Sequence, residues 1–179
     1  MKQTLLALVA VLLAVPPLAA QQKRTSPRET VTRQIHGATI TVVYSRPFTK
    51  DPKSGETRKI WGALVPFGKV WQTGADEATT LTTDKDLEIG GTAIPAGTYS
   101  LFTIPEENGG KLIVNKQTGQ WGTRYDEAQD FARVDLKKSP LNEPAEQFTI
   151  SIEQNEGSGG ELRLMWENVA YSTMVSVKK

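Results

Sequence analysis

Asp76 and Glu77 stand side by side in the run QTGADEATTL, residues 72–81, and raise the first chemical question of this chain. Two carboxylates can share general acid and base work when they flank one bond about 5–9 Å apart. Neighbours in an extended strand point to opposite faces, because side chains alternate with a period of two. If both lie in a strand they cannot serve as such a pair by themselves; as catalytic candidates, Glu77 would work with Asp76, Asp126 or Glu127. The other reading is a turn at Gly74-Ala75-Asp76, with Asp76 accepting from nearby backbone and Glu77 pairing with a cation. Arg46, at the end of the apolar run before Pro47, is suited to that pairing because its planar fork matches a carboxylate. Trp71, Asn115, Trp121 and Tyr125 lie in the same kind of turn-rich setting. Aromatic faces beside Asp, Glu, Asn and Arg are the ingredients of a cleft for a polar small molecule or a sugar. The candidate ligand-binding set is therefore Arg46, Trp71, Asp76, Glu77, Asn115, Trp121 and Tyr125.

Other chemistries fail on spacing. GALVPFGK, residues 62–69, has five residues between its glycines where a phosphate loop needs four, and Val70 follows where a hydroxyl should bind magnesium. DKDLEIGG, residues 84–91, carries alternating acids like a calcium loop. Its sixth position is Ile89, where a sharp turn needs Gly, and its twelfth is Pro95, where a bidentate Glu belongs. It reads instead as a hairpin with acids on its wet face. His36 is the single His and there is no Cys, so a zinc site and a Ser-His-acid triad both lack ligands or a base with a partner. No cofactor and no metal is expected.

The elements that must position these residues read as strands. TITVVY, YSLFTI, LIVN, FARVDL, FTISI, ELRLMW and VAYSTMVSV place apolar, β-branched or aromatic residues mostly at alternate positions. Gly-Gly, Pro-Ala-Gly, Asn-Gly-Gly and Gly-Ser-Gly-Gly separate them, which is turn chemistry. The spacing predicts nine or ten short strands in an all-β, antiparallel β-sandwich, or a barrel-like variant of it. At most one or two helical turns are expected, near residues 124–132. Tyr99, following Pro95 and Gly97, is expected to put its ring in the core and its hydroxyl on the preceding loop.

Residues 1–20 give one Lys, an apolar run of eleven residues from Leu5 to Val15, two prolines and two small residues. That order is a secretory signal peptide, and the run is short of the about 20 residues a membrane-spanning helix needs. Export to the periplasm or the medium is expected, with residues 21–36 a polar leader and first edge segment and residues 37–179 a single domain. Loss of Lys2 leaves 20 basic and 20 acidic residues. Such a balance, without a basic block, argues against nucleic acid and against an anionic membrane surface as partners. A chain of this size buries about two-thirds of its unfolded surface, so it needs no disulfide to be stable in an oxidising compartment.

The blocks VYSRP, KIWGALVPFGKVWQTGADEATTL, IPAGTYSLFTIP, LIVNKQTGQWG, YDEA and LRLMWE, in that order from about Ala38 to Val177, resemble a bacterial family known as domain of unknown function 2911. The resemblance implies export and a β fold, and it carries no reaction or catalytic residue. In that family's pattern Asn and Arg often stand where this chain has Asp76 and Gln72. Three roles follow as expectations. The first is non-catalytic binding of a small polar ligand, a glycan or an envelope partner protein. The second is a carboxylate-dependent hydrolase using Glu77 with a second acid. The third is a purely structural or assembly protein of the cell envelope.

Overall fold

A computed structural model describes residues 25–155, 157 and 159–178. Residues 1–20, expected to be a signal peptide, and residues 21–24 lie outside the described residues. The strands are β1 (Arg28–Ile35), β2 (Ala38–Ser45), β3 (Thr79–Thr83), β4 (Leu87–Ile89), β5 (Thr92–Ile94), β6 (Gly97–Pro105), β7 (Gly109–Asn115), β8 (Asp130–Gln154) and β9 (Gly159–Val177). They form one antiparallel ladder in the order β1-β2-β3-β6-β7-β8-β9-β4-β5. The chain is all-β and sandwich-like, as the alternating pattern predicts.

Two strands differ from the expected short ones. β8 has 25 residues and β9 has 19, and together they take up four of the runs read separately from sequence. Their pairing slips between Pro140 and Ala145 and again between Ala145 and Thr149. Proline has no N–H to give the ladder, so Pro140 and Pro144 favour a break there. The long hairpin bends at that break. Its far arm crosses back over β2, where the Ile150 N–H donates to the Tyr44 hydroxyl at 2.9 Å and Phe48 bridges to Gln147. The bend is what turns one ladder into two layers.

The core lies between those layers. Ile40, Val42, Tyr44, Leu81, Leu101, Leu112 and Val114 bury against Ile150, Ile152, Leu162, Leu164 and Trp166 in one apolar cluster. Along β2 the buried residues recur at every second position, which is the burial rule of a strand with one face wet. β6 and β7 are buried on both faces. Phe102 and Ile113 turn away from the main core and meet Ala78, Ile104 and Tyr125 beneath the segment that joins β7 to β8. The helical turns expected near residues 124–132 reduce to one 3-10 turn, Glu127–Gln129, capped by Asp126, whose carboxylate accepts from the Ala128 N–H at 3.0 Å. β8 begins immediately after it, because the apolar residues from Phe131 onward follow the strand period.

The turns carry their own constraints. The β4–β5 hairpin turns on Gly90 and Gly91, both at positive φ, and a Cβ on Gly90 would stand 2.2 Å from Val134 Cγ1. Only glycine fits that approach. The Tyr99 hydroxyl donates to the Pro95 carbonyl at 3.0 Å, as expected for a tyrosine that fastens its own loop. His36 sits at the exposed β1–β2 turn with Nε2 3.0 Å from the Gly157 carbonyl oxygen. Among the described residues no helix is long and apolar enough to cross a membrane.

Candidate functional site

The residues between β2 and β3 build the site. Trp71 pairs with Thr103 of β6, exchanging N–H···O bonds of 2.8 and 2.9 Å. Its ring then enters a cluster of large aromatics. Trp71 lies edge to face with Trp61 and Phe148 at 5.7 and 4.9 Å, and stacks on Trp166 at 5.8 Å with 20° between the planes. Such pairs contribute about 0.5–1.5 kcal/mol each beyond the area they bury. The cluster anchors Trp71 rigidly at the end of the core, and beside it opens a cavity of about 730 Å³.

Trp71, Trp166, Phe102 and Tyr125 give this cavity aromatic walls. Phe48, Leu64 and Val70 also line it and are 40, 46 and 39 % exposed, so its mouth has an apolar rim. Polar groups come from Gln72, Asp76, Thr123 and Arg58. Among the described lining residues Asp76 is the one acid and Arg58 the one base.

Asp76 is held there by an unusual turn. Thr73 has φ 54°, Gly74 φ 148° and Asp76 φ 59°. A β-branched residue at positive φ is a true outlier, and strain of this kind costs about 1–3 kcal/mol. Three interactions hold the turn in place. The Thr73 and Thr103 hydroxyls meet at 2.8 Å, and the Thr79 hydroxyl donates to the Thr73 carbonyl at 2.6 Å. The Gly122 N–H donates to the Asp76 carbonyl at 2.8 Å. A Cβ on Gly122 would come within 2.6 Å of Gln72 Oε1 and 2.9 Å of that carbonyl, so the close approach of the two segments needs glycine. The Asp76 carboxylate itself makes no hydrogen bond or ion pair with any described residue. It is not the backbone cap that the Gly-Ala-Asp turn suggested.

Of the seven residues nominated from sequence, the structure brings Trp71, Asp76 and Tyr125 to the cavity. The other four lie elsewhere. Glu77 is not among the cavity residues; it bridges by backbone to Trp121 and has its carboxylate 3.9 Å from Arg28. Trp121 is 49 % exposed on the surface beyond that bridge. Arg46 pairs with Glu29 at 2.5 Å and donates to the Phe148 carbonyl and the Thr149 hydroxyl, tying β2 and β1 to the far arm of β8. It is bound to Glu29 because β1 lies beside β2 in the ladder, a neighbour that spacing alone does not reveal.

Asn115 is fully buried and entirely engaged. Its Nδ2 donates to the Asp126 carbonyl at 2.8 Å and to Asp130 at 2.9 Å, while its Oδ1 accepts from the Gln117 N–H at 2.9 Å. Tyr125 shares this fastening through its hydroxyl, which donates to Asp130 Oδ2 at 2.7 Å and accepts from Arg133 at 3.1 Å. Burial first, and then the hydrogen bond to Asp130, pushes the Tyr125 phenol up to about 12. Tyr125 thus joins two systems, its ring walling the cavity and its hydroxyl closing the clamp.

Sequence reasoning missed Arg58, Phe102 and Trp166 among the cavity residues. Phe102 and Trp166 read as ordinary alternating strand residues. The one available signal for Trp166 was its size in a strand of smaller aliphatics. Asp76 is the single acid among the described residues lining the cavity. A paired-carboxylate hydrolysis needs a second acid at the same bond, and the acids proposed for that part are employed elsewhere. Asp126 caps the 3-10 turn and Glu127 pairs with Arg133 at 2.6 Å. Among the described residues no three His, Cys, Asp or Glu gather as a metal-holding group.

A family model described as a protein of unknown function, DUF2911, matches residues 26–175. Comparison with curated proteins and with solved structures gave no significant match.

Proposed function

Because the chain belongs to the DUF2911 family, whose description carries no activity, its function has to be read from the cavity, and we propose that the protein is an exported, non-catalytic binding protein for a small polar ligand or a glycan unit. The carrying observation is Asp76, an unpartnered carboxylate held by a strained turn in the wall of an aromatic cavity of about 730 Å³. Strain persists where the surroundings enforce it, and such places cluster at ligand clamps. The volume suits a small molecule, and the lining mixes aromatic and aliphatic side chains with polar ones, as a ligand pocket does. The leader at residues 1–20 supports export.

Binding is tested by thermal shift and intrinsic tryptophan fluorescence against a panel of sugars, amines and small acids, because Trp61, Trp71 and Trp166 sit at or next to the cavity. A ligand at a hundred times its Kd adds about 2.7 kcal/mol, which is about 5–10 °C in a domain of this size. Leu64→Arg, at an exposed rim position, should close the mouth and abolish the shift while leaving the melting temperature of the free protein within a few degrees. If no compound moves the melting temperature, or if Leu64→Arg leaves the shift intact, the cavity is not the binding site.

A further inference from the structure

The two charges in the cavity wall are not equivalent. The Arg58 guanidinium is committed on all sides: Nη2 donates to the Phe48 carbonyl at 2.5 Å, Nε donates to the Thr49 carbonyl at 3.4 Å, and Nη1 stands 3.8 Å from Asp51. Asp76 has no such partner among the described residues. The cavity therefore carries one charge without a protein partner, and it carries it beside the half-buried rings of Trp71 and Tyr125. A carboxylate only accepts hydrogen bonds, and aromatic faces attract cations through their quadrupole. Both features select the same complement, a positively charged donor.

The Trp166 Nε1–H also has no hydrogen-bond partner, but it is sealed from the cavity and selects nothing in a ligand.

Resting on the reading of this cavity as a ligand site, we propose that Asp76 is the counter-ion for a ligand ammonium group, and that the ligand class is a small protonated amine. An amino sugar has that chemistry: an ammonium for Asp76 and an apolar ring face for Trp71 and Tyr125. A metal cation fits less well, because Asp76 is the single described acid lining the cavity and hard cations take several oxygen ligands. An anionic ligand would meet Asp76 with the only lining cation already engaged.

The test compares matched pairs on the full chain by fluorescence titration: glucosamine against N-acetylglucosamine, and ethanolamine against N-acetylethanolamine. Each pair differs in the charge of one nitrogen. The charged member should bind about tenfold more tightly, the range expected of a partly desolvated cation beside aromatic faces and a carboxylate. Asp76→Asn should erase that preference without abolishing binding of the neutral member. If the neutral member binds as well as the charged one, and binding still disappears in Leu64→Arg, the ammonium assignment is wrong and the cavity reading stands. If neither member of any pair binds, both are wrong. A charged-member preference that survives Asp76→Asn overturns the assignment of Asp76 as the counter-ion.

Discussion

Two regions of this molecule use the same residue types to opposite ends. In the clamp formed by Asn115, Tyr125, Asp126, Asp130 and Arg133, every one of these polar side chains has a protein partner. In the adjoining cavity, the Asp76 carboxylate has none among the described residues. A satisfied network spends its hydrogen bonds on holding the chain, and the segment between β7 and β8 is accordingly pinned over Phe102 and Ile113. Asp76, only partly buried, stays open to water or to a ligand. Whether a polar side chain already has its partners therefore separates fastening from binding here, where residue type does not.

The largest effect that would sharpen this contrast is at Asn115. Asn115→Ala removes three hydrogen bonds at a fully buried position and strands the carbonyl of Asp126. It should lower unfolding stability by about 2–4 kcal/mol in urea titrations. A loss below about 1 kcal/mol would mean that the clamp does not hold the segment.

A smaller effect comes from alkali. The Tyr125 phenol, up at about 12 in the folded protein, ionises near 10 when unfolded. Between those values the unfolded chain releases a proton that the folded chain keeps, so stability is complete below pH about 10 and falls as pH rises through about 12. Tyr171 is likewise raised to about 12, chiefly by burial, so the whole protein should show this decline. Melting temperature followed against pH in wild type and in Tyr125→Phe separates the clamp's share, because the variant lacks the ionising hydroxyl and should decline less steeply.

The smallest effect is expected at the cavity. Asp76→Asn keeps a residue that tolerates positive φ and removes a carboxylate with no partner, so stability should change by less than about 0.5 kcal/mol. A substantial loss would show that Asp76 belongs with the fasteners, and the contrast between the two regions would dissolve.

Much of the fold was legible residue by residue. The strand runs in β2, β6 and β7 stand where alternation places them, and the Tyr99 hydroxyl reaches the loop that Pro95 and Gly97 announced. The partners were not legible. Arg46 pairs with Glu29 because β1 flanks β2, and Trp166 meets Trp71 because β8 and β9 bend together near Pro140. Neither neighbour can be read from spacing along the chain.

On its own, the order of residues determined an all-β chain, its turns, its export leader as an expectation, and its likeness to one family. Those properties depend on steric preferences and on burial repeating within a few residues, which any short window contains. The tertiary structure decided which face each polar group meets, which carboxylate is left without a partner, and which aromatic rings surround it. Those outcomes depend on ladder order and on a bend in one long hairpin, and they join residues about a hundred positions apart, such as Trp61 and the Trp166 carbonyl 3.0 Å from its indole nitrogen.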